Sequence, residues 1–352
     1  MYPPNGSQRT AISSDDLTRD LGRGILPVKS ESRTRRAIPI SKLLFATLLI
    51  GIFFASLKLT SLYSSGDQYY YRLFYFLLRG LSRDAISELQ AEITGSSEPS
   101  YGFVMWLGAS LGVEKTIYIS AFNVAFAGVL LKRINAAGVT WHSVCFSLLL
   151  LTNFYTLVLF TSAERLKFAY LTASLALLST SRVFQSLAAI AAMTFHFQFA
   201  IFLMALICGK LSSIRPKRFI KRSQLSRLAT GALAFGAALI FLLLYREQVL
   251  FKFAAYAEPP DLNNILQISL LTLVAVICLP NKAEAIGALM TLMMFALLLG
   301  GDRVNMIAVT LVIWYVIRDG VYKSAAVTFL MLYFSLKGLS YIERILQTGQ
   351  GF

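Results

Sequence analysis

Long apolar runs, broken at a few points by charged side chains, constrain this chain more than any other feature of its sequence. The clearest case is the stretch 162–208, SAERLKFAYLTASLALLSTSRVFQSLAAIAAMTFHFQFAIFLMALIC, which sets Glu164, Arg165 and His196 in sequence apolar enough to lie in lipid. Charged and titratable groups at membrane depth are costly, so they face a partner, a water-filled cavity or a substrate path. With 352 residues, 56% of them hydrophobic, and a mean hydropathy of +0.63, the chain carries more apolar surface than a soluble domain of its size can bury. It reads as an all-α polytopic membrane protein.

The net charge of +15 is concentrated in the N-terminal tail and in residues 209–227. Basic clusters beside apolar spans mark the cytoplasmic side and argue against a nucleic-acid partner. The three cysteines lie in apolar segments without CxxC or metal-type spacing, so neither a disulfide framework nor a metal site is expected. Residues 1–37 are polar and mixed in charge and read as a disordered cytoplasmic tail ahead of a retained first helix.

The membrane domain is expected over 38–340, followed by a short tail at 341–352. Its first span, 38–63, exceeds the roughly 20 residues needed to cross the hydrocarbon core, and Arg33, Arg35, Arg36 and Lys42 at its start place the N-terminus inside. Residues 64–100 form a net-negative outer loop whose aromatic and charged residues at helical spacing predict an amphipathic helix at the membrane surface. The following segment turns at Glu98-Pro99 into an apolar helix of about twelve residues, too short to cross alone. Further apolar runs fall at 116–131, 140–161, 166–180, 183–208, 228–245, 265–280, 283–299, 304–317 and 324–339, separated by the basic loop and an outer loop at 246–264. About ten or eleven transmembrane or re-entrant helices result. The loop charges put Arg165 and the Asp302–Arg303 turn on one outer face only if a helix within 166–208 is broken or half-length. Irregular backbone at membrane depth is tolerated where it lines a cavity.

Each candidate residue has a structural and a functional reading. Asp67 is either a helix N-cap or a carboxylate facing a polar substrate, with Tyr71 and its neighbouring tyrosines offering stacking and hydroxyl contacts. Glu98 is either a loop acid or a general base ahead of a Pro turn that dips into the membrane. Glu164 and Arg165 either pair with each other at a helix end or leave Arg165 to grip phosphate oxygens bidentately. Arg303, in GGDRVN, follows the same logic, and two arginines in one pocket would neutralise a pyrophosphate. His196 is either a hydrogen-bonded structural residue or a catalyst. There is no Walker motif, HExxH, GxSxG or DxD signature, which lowers ATP-driven transport and cytosolic nucleotide-sugar chemistry.

Taken in order, these elements resemble the EpsG/Wzy-type polysaccharide polymerases. A G-D-x-x-x-Y element is matched by Gly66-Asp67 through Tyr71, and an E-P-G-Y helix by Glu98-Pro99-Ser100-Tyr101, with Ser for Gly. An I-R-Q-x-[IL]-A element is matched at Glu164 to Ala169 without its Gln, an A-x-x-F-H-x-S element at Ala192 to Gln198 without its Ser, and a late R-[IV] turn at Arg303-Val304. The resemblance spans roughly 66 to 304. It implies a multi-pass enzyme of the bacterial inner membrane that joins oligosaccharide repeat units carried on undecaprenyl pyrophosphate into O-antigen or exopolysaccharide at a periplasmic-face cavity. No cofactor or metal is implied. Glu98, Asp67 and His196 would be the catalytic groups, with Arg165, Arg303, Tyr71, Tyr101 and Glu164 binding substrate. A chain-length regulator and other assembly proteins would be partners. The competing classes are a lipid-linked glycan flippase, which would need a path open to both faces, and a membrane O-acyltransferase, which would also use an intramembrane His.

Overall fold

The computed structural model describes residues 42–213, 262–299 and 301–351, with five isolated positions between 236 and 247. The tail at 1–37, most of the basic loop at 209–227, the run at 228–245 and most of the loop at 246–264 lie outside the described residues. Among the described residues the regular structure is entirely helical.

Helix α1 (Lys42–Leu62) is largely apolar, with Leu43, Leu44, Ile50 and Phe54 exposed along it, as expected of a helix whose outer side meets lipid. Its C-terminal carbonyls are met by Arg72, whose Nη2 donates to Thr60 O and Tyr63 O, each at 2.8 Å. Arg72 sits on α2 (Asp67–Leu77), which leaves α1 through Gly66 at φ 60°, a backbone conformation that suits glycine. Then come α3 (Ile86–Thr94) and α4 (Pro99–Ser110), the latter with Pro at its first position, where no N–H is needed.

The amphipathic α2 packs its inner face on protein. Its Tyr71, Phe74 and Tyr75 pack with Tyr101 and Met105 of α4 and with Phe168, while Tyr69, Tyr70 and Phe76 remain exposed. Side-chain bonds to backbone hold this cap together: Trp106 Nε1 donates to Leu81 O at 3.0 Å and the Tyr75 hydroxyl to Val113 O at 2.9 Å. Residues 64–113 are therefore a packed subassembly, because the aromatic face of α2 finds protein partners before it needs lipid.

Helix α5 (Lys115–Ile134) starts at Glu114, whose carboxylate accepts from Thr116 N–H at 3.0 Å and Ile117 N–H at 3.3 Å. It crosses α1 along a polar seam, with Asn123 Nδ2 donating to Ser56 Oγ at 2.6 Å and to Phe160 O at 2.9 Å. The run at 140–161 is two helices, α6 (Trp141–Leu151) and α7 (Phe154–Thr161), bent by 51°. Asn153 causes the break, since its side chain caps α7 by accepting from Tyr155 N–H at 2.9 Å.

Next are α8 (Glu164–Leu175), a 3₁₀ turn at Ala176–Leu178, α9 (Arg182–Phe195) and α10 (Phe199–Ser212). At about 1.5 Å per residue, α8 and α9 reach about 18 and 21 Å, short of the roughly 30 Å hydrocarbon core. The continuous helix expected over 183–208 is interrupted at His196, whose φ −159° and ψ 123° are extended. The one histidine of that stretch thus stands at a helix break.

The chain ends with α11 (Leu262–Cys278), α12 (Lys282–Leu299), α13 (Gly301–Asp319) and α14 (Ala325–Thr348). α13 is central: Val304, Ile307, Ala308, Leu311, Val312 and Val316 are all buried. α11 is apolar on two faces, with Ile268, Leu271 and Ala275 inward and Leu266, Leu270, Leu273 and Ile277 outward, an arrangement that fits lipid outside and protein inside. α10 and α12 approach closely at small residues, since a Cβ on Gly209 would lie 2.5 Å from Glu284 O. Gly338 of α14 seats on the α6–α7 bend, where a Cβ would collide with Thr152 O.

By length and composition, α1, α5 and α14 are long and apolar enough to cross a membrane, and the bent α6–α7 pair would make a fourth span. Among the described residues, then, three or four spans stand where about ten or eleven transmembrane or re-entrant helices were expected, and polar caps such as Asn153 and the break at His196 divide other apolar runs into shorter helices. The boundary at 340 is also corrected. α14 continues to Thr348, with Tyr341 and Ile345 buried against Tyr63, Leu157 and Val158, and Ser64 N–H donates to Gly349 O at 3.0 Å.

Candidate functional site

Where α2, α7, α8 and α13 approach α14, they enclose a cavity of about 690 Å³. Five positions singled out in the sequence line it: Asp67, Tyr71, Arg165, His196 and Arg303. Each comes from a different kind of local structure. Asp67 is the first residue of α2, directly after Gly66, which occupies the N-cap position. Tyr71 lies one turn further on the same face. Arg165 is in the first turn of α8, and His196 is the break between α9 and α10. Arg303 belongs to the first turn of α13 rather than to a free turn.

Behind the cavity wall lies Glu98, the residue before α4, with no solvent exposure. Its Oε2 accepts from Arg165 Nη1 at 3.0 Å, from Gln90 Nε2 at 3.3 Å and from Ser96 Oγ. Its Oε1 is 3.1 Å from His196 Nδ1, and His196 Nε2 is 3.1 Å from Gln198 Oε1. Gly102 lets α3 come this near, since a Cβ there would collide with Gln90 Oε1. One carboxylate therefore fixes both a guanidinium and an imidazole that face the cavity. Glu98 does not itself line this cavity; Arg165 and His196 do, and they connect its carboxylate to it.

Arg165 is held twice. Besides Glu98, its Nε donates to the Tyr71 hydroxyl at 3.1 Å, and Tyr71 lies under the guanidinium with the carbon 5.5 Å from the ring centre. Burial raises the Tyr71 hydroxyl above its ordinary pKa, against the opposing pull of Arg165. Tyr71 stays protonated and can donate to a ligand while it accepts from Arg165. Nη2 of Arg165 has no partner among the described residues and is free for an anion.

Glu164 and Tyr101 are placed elsewhere. Adjacent helical residues point to different sides, so Glu164 does not pair with Arg165. It lies fully buried, with Oε1 accepting from Lys115 Nζ at 2.6 Å and Gln68 Nε2 at 2.8 Å, and Oε2 accepting from the Tyr101 hydroxyl at 3.0 Å. Lys115 Nζ also donates to Gln68 Oε1 at 2.9 Å. None of these four lines the 690 Å³ cavity. Glu164 and Tyr101, expected among the substrate-binding groups, bond to one another in this structure, away from the 690 Å³ cavity.

The sequence reading missed the fourth wall. Lys337, Ser340, Tyr341 and Arg344 of α14 all line the cavity. Their spacing of three, four and seven is one helical face, a signal available in LKGLSYIERILQT had the last helix not been ended with its apolar run. Lys337 also sits 4.5 Å from the Phe154 ring centre. The cavity is thus lined by Arg165, Arg303, Lys337 and Arg344, with His196, against the single carboxylate of Asp67.

Among the described residues, no group of three or more His, Cys, Asp and Glu side chains converges as a metal site. Comparison with protein-family models, with curated proteins and with solved structures returns no match.

Proposed function

We propose that this chain is a glycosyltransferase that polymerises lipid-pyrophosphate-linked oligosaccharide repeat units at the periplasmic face of a bacterial inner membrane, with its N-terminus in the cytoplasm. The observation that carries the reading is the charge of the cavity: four permanent cations and a histidine surround a space closed on several sides by apolar helices. Such a site favours a ligand with concentrated negative charge, and pyrophosphate on a membrane lipid has that chemistry.

In the reaction, the bond between the anomeric carbon of the growing glycan and its pyrophosphate oxygen breaks. A new bond forms from that carbon to a hydroxyl oxygen of the incoming unit. The departing pyrophosphate gains negative charge, which Arg165 Nη2 and Arg303 are situated to meet, with Lys337 and Arg344 as further counter-charges. The hydroxyl proton passes to His196 Nε2, with the acceptor replacing Gln198 as its partner. Glu98 holds Nδ1 and thereby the ring orientation, and it stabilises the imidazolium formed. It is a positioning residue here, and Asp67 is assigned to the sugar hydroxyls. No metal or organic cofactor is assigned to this step.

Arg303→Ala tests the reading in cells that display the polysaccharide. The protein remains in the membrane, since Arg303 is exposed at a helix start, and the cells carry single repeat units in place of long chains. Normal chain-length ladders with this variant would sink the proposal.

A further inference from the structure

A second, smaller cavity of about 250 Å³ adjoins the first. It is lined by Asp67, Tyr70, Tyr71, Ile93, Thr94, Gly95 and Arg165. Asp67, Tyr71 and Arg165 line both cavities, so they form a partition with a different chemical environment on each side.

The larger space is rich in cations, and the smaller has only Arg165, balanced by Asp67. The α2 side of the small cavity supplies the exposed ring of Tyr70, the Tyr71 hydroxyl and the Asp67 carboxylate, and the end of α3 supplies Thr94 and Gly95. Gly95 holds a left-handed φ of 63° that ends α3, and a Cβ there would meet open space. An aromatic face, a carboxylate able to accept from neighbouring hydroxyls, and hydroxyl and guanidinium donors suit a neutral polyhydroxylated ring. They suit a second phosphate poorly, because Asp67 would face it, and a lipid tail poorly, because five of the seven lining residues are polar or charged at the side chain or aromatic with a hydroxyl.

We infer that the 250 Å³ cavity is a monosaccharide subsite, which holds the sugar ring directly bonded to the pyrophosphate while the pyrophosphate lies across the partition on the far side of Arg165. The inference rests on the proposed polymerase reading and adds to it the side from which the reacting sugar enters. The anomeric carbon would sit at the Tyr71–Arg165 partition, and the acceptor would come from the large cavity, which His196 lines and the small one does not.

The test uses the full-length protein purified into lipid nanodiscs, with two probes. Methyl glycosides of common hexoses and N-acetylhexosamines are followed by saturation-transfer-difference NMR, and inorganic pyrophosphate by calorimetry. At least one glycoside is expected to bind. Tyr70→Ala, at an exposed position, is expected to weaken that binding about tenfold, and Thr94→Trp, which fills the cavity, to abolish it. Pyrophosphate affinity should be unchanged in both variants. If pyrophosphate binds and no glycoside does, or if glycosides bind equally to both variants, the subsite is overturned while the polymerase reading stands. Glycoside binding with the expected variant losses but without pyrophosphate binding supports the subsite and overturns the polymerase reading.

Discussion

Glu98 and Glu164 are both fully buried, and each is bridged to a cation, Arg165 at 3.0 Å in one case and Lys115 at 2.6 Å in the other. Around Glu164 the partners are closed on themselves: Lys115, Gln68 and Tyr101 bind the carboxylate, Lys115 and Gln68 also bind each other, and none lines either of the two cavities described. Around Glu98 two partners, Arg165 and His196, keep another edge for the cavity. A buried carboxylate is a costly feature in either place. What distinguishes a structural cost from a functional one here is whether the partners retain donors or acceptors that reach open space.

The comparison breaks most visibly at Glu164. Glu164→Ala leaves the Lys115 ammonium buried without its counter-charge, which costs about 3–5 kcal/mol for a buried pair. The expected outcome is a strong fall in folded protein, read from thermal unfolding in detergent. A variant that folds normally and loses only polymer formation would assign Glu164 to the site after all.

Glu98→Gln comes next. The shape is kept and the charge that orients His196 is lost, so polymer formation should drop about 10²–10⁴-fold, the range for a general base. Because Glu98 is argued to act through His196, the double variant with His196→Ala should be little worse than His196→Ala alone. Additive losses would mean that the two residues act independently.

Much of the cavity was legible in the chain because its residues interrupt apolar runs. Asp67, Arg165, His196 and Arg303 each stand where lipid-compatible sequence is broken, and the cost of placing them there directs attention to them. Their sorting was less legible. Glu164 and Arg165 are neighbours in sequence, and only the opposing pull of Lys115 on one side and Glu98 on the other separates them. The break at His196 has neither Gly nor Pro nearby to announce it, because a tertiary bond to Glu98 and a local one to Gln198 hold it. Hydropathy ended the last helix at Leu339, whereas α14 continues through polar residues that face the cavity and so carries Lys337 and Arg344 out of view.

Those two residues supply a smaller effect. Lys337 and Arg344 are exposed and bonded to no acid among the described residues, so replacing either by Ala should leave stability unchanged and weaken pyrophosphate binding about tenfold, about 1.4 kcal/mol. Unchanged affinity in both would remove α14 from the anion site. The smallest effect belongs to Glu114, a third carboxylate that touches neither network. Burial raises its pKa, but bonds from Thr116 and Ile117 outweigh this and hold it below the ordinary carboxylate value. Its contribution is therefore present above the unfolded-state value and lost as pH falls through the folded one. Glu114→Ala should cost about 1 kcal/mol at neutral pH, as for a helix cap, with polymer formation intact. A loss of activity there would blur the line drawn between site and scaffold.

The most direct measurement reconstitutes the purified protein in vesicles with lipid-linked repeat units extracted from cells that lack it, and compares wild type with Arg165→Ala. The account predicts a ladder of lengthened glycans from the wild type, with one lipid pyrophosphate released per new bond, and unextended single units from a folded Arg165→Ala protein. Unextended units with the wild type, or equal ladders from both proteins, would contradict it.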